Sequence, residues 1–140
     1  MSMRDDDVHE LETIFDQSPY EALRIATDKS SETYAARFEG RPIAVFGVVP
    51  MTKLGSYGSP WFLGTDELLR HPRAMLQFGR AGVAHWLRRY TLLMNFVSVR
   101  NTASIRWLTR IGFKLEEPVA IRGEMAHQFW IRRDAHVRDN

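Results

Sequence analysis

The sequence predicts a single α/β domain in which helices flank a mixed β-sheet. The chain has 140 residues, of which 44% are apolar and 26% charged, and this is the size and composition of one globular domain. The first half predicts an antiparallel hairpin. The second half has a strand–helix–strand–helix order, which is typical of a parallel crossover. One domain over residues 1–140 is predicted, since no repeat, low-complexity segment or linker divides the chain.

The first half begins with helical patterns and continues with the hairpin. Apolar residues at helical spacing follow three aspartates and predict a helix over about 7–16. Ser18-Pro19, with a glutamate two residues later, predicts the start of a second helix. Alternation over 33–38, a tight turn at Glu39-Gly40 and an apolar run over 43–49 predict the two hairpin strands.

The second half predicts the crossover. Glycine and serine residues in Met51–Pro60 predict a mobile loop. The elements predicted after it are a strand over Trp61–Leu63, a long helix opened by Pro72, a strand over Leu92–Val99, a helix from Asn101 or Thr102 to Arg110, and final strands over Lys114–Ala120 and Gln128–Arg132.

Composition narrows the class of protein. No apolar run is long enough to span a bilayer and the acidic N-terminus lacks a signal core, so a cytoplasmic location is expected. The absence of cysteine excludes disulfides, thiolate metal sites and a cysteine nucleophile. The five histidines lack metal-ligand spacing, so no metal site is predicted. The net charge is only +2. The sequence also shows no clustered basic face with aromatic residues, which nucleic-acid binding would need, so this class of function is not favoured.

The segment Val99–Phe113 resembles the last helical motif of the GNAT acetyltransferase superfamily. Asn101, Ser104, Gly112 and Phe113 fall on that motif's positions. The hairpin segment from Phe38 to Val45 resembles the family's second and third strands. The resemblance implies the GNAT fold, with a first strand that is reduced to Ser2–Arg4 or absent.

A narrower resemblance is to short phage-encoded proteins of this fold, which include internal virion (core) proteins of T7-like podoviruses. It rests on the stretch Ser59–Asp66 and on the helix within Asn101–Phe113. It implies a phage or prophage origin, the host cytoplasm or the virion as location, and phage structural proteins as partners.

The GNAT resemblance implies acetyl-CoA as co-substrate, bound in a gap between two diverging strands. The gap would lie between the strand at Trp61–Leu63 and the strand at Asn95–Val97. Backbone groups of Phe62 and Leu63 would pair with the pantetheine arm. Arg70 and Arg73, near the start of the long helix, would contact the phosphates; the alternative is that they form a solvated basic turn.

The resemblance also implies which side chains would serve the reaction. Asn101, Ser104 and Trp107 would contact the cofactor, with Asn101 near its thioester end. Asp66 and Glu67 follow the third strand and are the nearest acidic pair for a general base. The alternative is that these two residues simply begin a helical turn.

Two departures from the family pattern argue against catalysis. The pyrophosphate loop matches only in part, and Gly79 and Gly82 fall inside the long helix, where we interpret them as sites of close packing. The family's general-acid tyrosine is replaced by Leu108, which cannot donate a proton.

Two hypotheses follow. The chain is either a GNAT-type N-acetyltransferase acting on a small-molecule or protein amine, or a non-catalytic phage protein that keeps the fold for virion assembly or binding. The fold alone does not decide between them. A homodimer is compatible with both.

Overall fold

The structure, a computed structural model, describes residues 3–13, 28–52 and 56–133. Helices in these ranges are α1 (Asp5–Thr13), a 3₁₀ helix (Asp66–Arg70), α2 (Pro72–Trp86) and α3 (Thr102–Arg110). The strands are β1 (Glu32–Phe38), β2 (Arg41–Pro50), β3 (Tyr57–Gly64), β4 (Leu92–Ser98), β5 (Lys114–Leu115), β6 (Val119–Ile121) and β7 (Glu124–Arg132). Most of the helix predicted after Ser18 lies in residues 14–27, outside the described residues, and Asp28 and Lys29 at its predicted end are helical.

The strands form one mixed sheet, as the sequence predicts. Their order is β1-β2-β3-β4-β7-β5, with β6 also paired to β7. The pair β3–β4 is parallel, and the other pairs are antiparallel. The connection from β3 to β4 runs through the long helix α2, and this is the parallel crossover that the sequence predicts.

The two faces of the sheet are covered by different elements. Residues of α2 and α3 such as Val83 and Leu108 pack with Leu93 and Val97 of β4 in the largest apolar cluster. Met3, just before α1, packs with Leu63 of β3. Because successive strand residues point to opposite faces, and Phe62 packs with the α2 residue Phe78, α1 begins on the face opposite α2 and α3.

Strand β3 is longer than predicted, since it begins at Tyr57 rather than Trp61. One of the small residues that predicted a loop here, Gly58, allows close packing instead. A Cβ atom on Gly58 would lie 2.7 Å from Cγ2 of Val48 and 3.1 Å from the Tyr90 ring. The absence of a side chain at Gly58 therefore lets β3 lie close to Val48 of β2 and to Tyr90, which lies between α2 and β4.

The ends of the described chain differ from prediction in detail. Residues 3–13 contain α1 and no strand, so β1 forms one edge of the sheet. The strand predicted over Lys114–Ala120 is divided into β5 and β6. Pro118, which has no backbone N–H, lies between them. No helix in the described residues is long and apolar enough to cross a membrane.

Candidate functional site

A slot opens between the parallel strands β3 and β4. The strands pair only at Tyr57↔Leu92 and Gly58↔Leu93, and then diverge. Just beyond the last pair, Nδ2 of Asn95 donates a hydrogen bond of 2.8 Å to the carbonyl of Pro60. This side chain bridges the strands where the backbone ladder has ended, and the predicted gap lies beyond it.

On the edge of β3 that faces the slot, every second residue turns its backbone N–H and C=O groups towards the slot. The Pro60 carbonyl and both backbone groups of Gly64 form bonds on this side. Strand alternation therefore turns the N–H and C=O of Phe62, midway between them, to the slot. Leu63, its predicted companion, turns its backbone groups to β2, where it pairs with Val45.

The N-terminal segment closes the far end of the slot with side chains and backbone. The Arg4 N–H donates to the Gly64 carbonyl at 2.8 Å. The Gly64 N–H donates to Oδ2 of Asp7 at 2.9 Å, and the Ser98 N–H donates to Oε1 of Glu10 at 2.9 Å. Residues of one short segment thus join the separated ends of β3 and β4.

Asn101 lies at the centre of this polar network and is 1% exposed. Its Oδ1 accepts from the Ser104 N–H at 3.3 Å, which caps α3, and from Nη2 of Arg4 at 3.3 Å. Its Nδ2 donates to Oε1 of Glu10 at 3.0 Å. The predicted cofactor residue is therefore a helix cap that also orients the α1 carboxylate.

The network holds buried charge. Arg4 and Asp7 are each 4% exposed, and their nearest nitrogen and oxygen lie 3.5 Å apart. Burial raises the pKa of the Asp7 carboxyl above its usual range. Burial also raises the pKa of the Glu10 carboxyl from 4.5 to about 7, against the lowering effect of its bonds to Asn101 and Ser98.

A cavity of about 190 Å³ occupies the slot and the space beneath α2 and α3. Its wall is mainly aromatic and aliphatic, and Asp7 and Glu10 contribute the carboxylates that line it. The aromatic members are Phe46, Trp61, Phe62, Phe78, Phe96, Trp86, Trp107, Phe113 and Phe129. Nε1 of Trp86 is buried without a hydrogen-bond partner among the described residues. A ligand acceptor placed in the cavity would have this donor available.

Trp107 forms the side of the slot between the helices. Its Nε1 donates to the Met75 carbonyl at 2.9 Å, and its ring centroid lies 4.8 Å from that of Phe62. Gly79 makes room for the indole, because a Cβ there would lie 2.8 Å from Cζ2 of Trp107. The indole therefore joins α3 to both α2 and β3. Leu108, beside it, is buried and also lines the cavity.

The structure brings some of the predicted site residues together and leaves others apart. Phe62, Leu63, Ser104 and Trp107 line the cavity, and Asn101 adjoins it through Glu10. The predicted phosphate and base residues are not part of the cavity wall; they are Asp66, Glu67, Arg70 and Arg73.

Glu67, one of the two predicted bases, is engaged elsewhere. Nη2 of Arg41 lies 2.6 Å from its Oε1. That hydrogen bond holds the pKa of the Glu67 carboxyl below its usual value. Asp66, Arg70 and Arg73 are exposed. The roles proposed for these residues from the sequence stay predictions.

Sequence reasoning missed Arg4, Asp7 and Glu10. The aspartate run suggested only a favourable helix N-terminus. Asp7 and Glu10 are three residues apart and so share one helix face, which was a signal that acidic groups converge. Among the described residues, no group of three or more histidine, cysteine, aspartate or glutamate residues is arranged to hold a metal ion.

Comparison with known proteins assigns the fold. The chain has the fold of the GNAT acetyltransferases. No protein-family model matches it, and no curated protein sequence does.

Three solved structures illustrate this likeness. The aminoglycoside acetyltransferase AAC(6')-Ib, solved with paromomycin and acetyl-CoA, matches with 19% identity and a TM-score of 0.65 over 82% of this chain and 72% of that one. The spermidine N-acetyltransferase SpeG of Vibrio cholerae matches with 12% identity and a TM-score of 0.66 over 85% and 76%. A GNAT-family acetyltransferase of Streptococcus pneumoniae matches with 14% identity and a TM-score of 0.62 over 83% and 77%. At these identities the likeness concerns the fold.

Proposed function

We propose that this protein is an N-acetyltransferase that transfers an acetyl group from acetyl-CoA to an amine. The observation that carries the proposal is the slot, in which β3 and β4 separate after two residue pairs. The slot leaves the Phe62 backbone groups without a neighbouring strand on that side and has two carboxylates in its wall. The fold neighbours solved with acetyl-CoA or coenzyme A support the same cofactor.

The chain's own residues suggest how the substrates would be held. The amide groups of the pantetheine arm would complete the backbone ladder at Phe62, in place of the missing strand contact. The amine would reach the thioester from the α1 side, where Asp7 and Glu10 favour a positive charge. Its nitrogen would attack the thioester carbon, and the C–S bond would break with its electron pair leaving on sulfur.

The phosphates would lie at the N-terminus of α2. This helix has 15 residues and begins at Pro72, and the side chain of His71 does not cap it. Its first backbone N–H groups are therefore free to meet an anion. Arg70 and Arg73 flank this turn, and in this proposal they supply positive charge from the solvent side.

The acceptor in this proposal is a cationic amine. The fold neighbours include enzymes whose names specify aminoglycosides and spermidine. Both classes carry several ammonium groups, and the buried acidic wall at Asp7 and Glu10 supports an acceptor of this charge. Turnover of polyamines and aminoglycosides compared with peptide amines distinguishes a small-molecule acceptor from a protein acceptor.

The second candidate is a non-catalytic protein that keeps this fold for binding, with phage structural proteins as partners in virion assembly and a homodimer as a further option. Two observations favour it over an enzyme. The Trp107 indole fills the space between α2, α3 and β3. Leu108 is buried where the family resemblance implies a proton donor.

Calorimetric titration with acetyl-CoA, followed by a thiol-release assay over polyamines, aminoglycosides and peptide amines, tests the proposal. We expect saturable binding and thiol release with at least one polycationic amine. Gly82 provides a slot-filling variant, because a Cβ there meets no atom within 4 Å and the residue lines the cavity. Gly82→Leu should weaken coenzyme binding about tenfold or more by occupying the slot.

The matched control is Gly82→Ala, whose single methyl group leaves most of the cavity open. It should bind the coenzyme as the wild type does. Absence of wild-type binding at about 1 mM acetyl-CoA would remove the enzymatic proposal and leave the binding role. Equal affinity in Gly82→Leu would place the coenzyme outside this slot.

A further inference from the structure

The carboxylate of Glu10 is unlike the other acidic groups near the slot, and the inference drawn from it rests on the proposed function. Among the described residues, Oε1 of Glu10 accepts hydrogen bonds from the Ser98 N–H at 2.9 Å and from Nδ2 of Asn101 at 3.0 Å. Both bonds fall on one oxygen. They leave Oε2 as the oxygen that can meet a substrate in the cavity that Glu10 lines.

Asp7 does not have this freedom. Its Oδ1 lies 3.5 Å from Nη1 of Arg4, and its Oδ2 accepts the Gly64 N–H at 2.9 Å. Both of its oxygens are thus engaged in holding the N-terminal segment to β3. Among the described residues, Oε2 of Glu10 therefore has no hydrogen-bond partner, whereas both oxygens of Asp7 have one.

Within the described part of the chain, the charges around the slot do not balance when both carboxylates are ionised. Arg4 is the guanidinium in contact with Asp7 and Asn101, and it also lies 3.6 Å from the exposed Asp6. One buried cation therefore faces Asp7 and Glu10 together. A substrate ammonium group would supply the missing positive charge, and it would deliver a proton to the carboxylate that lacks a cation.

We propose that Glu10 is the general base that deprotonates the acceptor ammonium group, with Asn101 and the Ser98 N–H as the groups that position it. Oε2 takes one proton from the ammonium, and the freed electron pair forms the N–C bond to the thioester carbon. The tetrahedral intermediate collapses as the C–S bond breaks. The second nitrogen proton leaves and the thiolate gains one, while Glu10 returns its proton to solvent. The sum is ammonium plus thioester giving amide, free thiol and one proton.

This assignment differs from the base predicted from the sequence. Glu67 is neutralised by Arg41, and neither Asp66 nor Glu67 lines the cavity. Glu10 lines it. The structure therefore points to a residue on α1, 88 positions away in sequence from the strand residue that orients it.

Glu10→Gln is the direct test, because the amide oxygen of glutamine can still accept the bonds from Ser98 and Asn101. We expect coenzyme affinity within about twofold of wild type, and kcat/KM for the amine lowered by about 100-fold or more. Glu10→Asp should recover part of the loss. Asp5→Asn, which removes an exposed carboxylate from the same helix, should turn over as wild type does.

The dependence of kcat/KM on pH is a second measurement, and Glu10→Gln would not change its shape if Glu10 had a purely structural role. In the ranges that the structure describes, the charged groups facing Glu10 are Arg4 and Asp7 from its own segment. The Glu124 carboxylate lies beyond Ser98, whose hydroxyl donates to it. Because Glu10 must be ionised to act, wild-type kcat/KM should rise with pH to a plateau, with a midpoint near the Glu10 pKa of about 7. Glu10→Gln should lack that limb.

The outcomes separate the two proposals. If wild type binds and acetylates an amine while Glu10→Gln does so equally well, Glu10 is not the base and the enzymatic proposal stands. A wild-type profile that is flat between about pH 5 and 9 would also overturn the assignment of Glu10. If wild type fails to bind acetyl-CoA, both proposals fall together.

Discussion

At the scale of single residues, the most informative group is one whose chemistry depends on its surroundings. Glu10 is an ordinary helical glutamate by sequence, and it becomes a group with a pKa of about 7 through burial. Its hydrogen bonds to Asn101 and Ser98 oppose that shift but do not cancel it. Perturbed carboxylates of this kind are common at active sites.

The raised pKa also predicts how stability depends on pH. The folded protein holds more protons than the unfolded chain between pH 4.5 and about 7. The contribution of Glu10 to the free energy of unfolding is therefore full below pH 4.5 and is lost as pH rises to about 7.

Glu10→Gln removes this dependence, since glutamine does not titrate. The free energy of unfolding of the variant minus that of wild type should therefore increase by up to about 3 kcal/mol as the pH rises from acid to about 8. Urea denaturation at a series of pH values measures the difference. A constant difference across that range would mean that the carboxyl titrates normally, and Asp5→Asn serves as the exposed control.

At the scale of elements, α2 uses its two glycines in different ways. A Cβ on Gly79 would lie 2.8 Å from Trp107 and 3.0 Å from Cγ2 of Ile111, whereas one on Gly82 would meet nothing within 4 Å. Gly79 thus permits α2 and α3 to approach, as the sequence predicted in general terms. Gly82 keeps space open in the cavity.

Alanine substitutions at Gly79 and Gly82 compare the two environments on one helix. Alanine at either position should favour the helix by about 1 kcal/mol. Gly79→Ala must also displace an indole held by Met75 and Phe62, at a cost of about 1–3 kcal/mol. We expect Gly79→Ala to be less stable than Gly82→Ala by at least 1 kcal/mol, roughly, in thermal or chemical unfolding. Equal stability would mean that Trp107 is free to move.

At the scale of the whole molecule, the N-terminal segment completes the sheet at the point where two strands separate. Arg4 and Asp7 bond to the end of β3, and Glu10 bonds to the end of β4. The backbone groups of Gly64 and Ser98, at the ends of the separated strands, are thus satisfied by the N-terminal segment. The same contacts place two carboxylates in the cavity wall.

Removing the cation from this network should weaken the entire fold. Arg4→Met leaves Asp7 buried without its guanidinium partner, and breaking a buried pair in this way costs about 3–5 kcal/mol. Chemical denaturation compares it with Arg106→Met, a change at an exposed position on α3. A loss no larger than that of the control would show that α1 contributes little to stability.

The sequence by itself determined the elements whose signals are local. Alternation and the Glu39-Gly40 turn, where both residues have positive φ, predicted the hairpin, since period and turn chemistry are properties of neighbouring residues. The Asn101 motif predicted α3 and its end, because capping needs only a few consecutive residues. From these followed the mixed sheet, whereas the location of the gap was implied by the GNAT resemblance.

Only the tertiary structure decided which groups line the gap. The contact between Arg4 and Asn101 spans 97 residues, and that between Glu10 and Asn101 spans 91. No local pattern specifies such pairings. Burial and the field of distant charges set the protonation of a carboxylate, and both exist only once the chain has folded. The physical reason is that local sequence sets backbone geometry, whereas desolvation belongs to the assembled molecule.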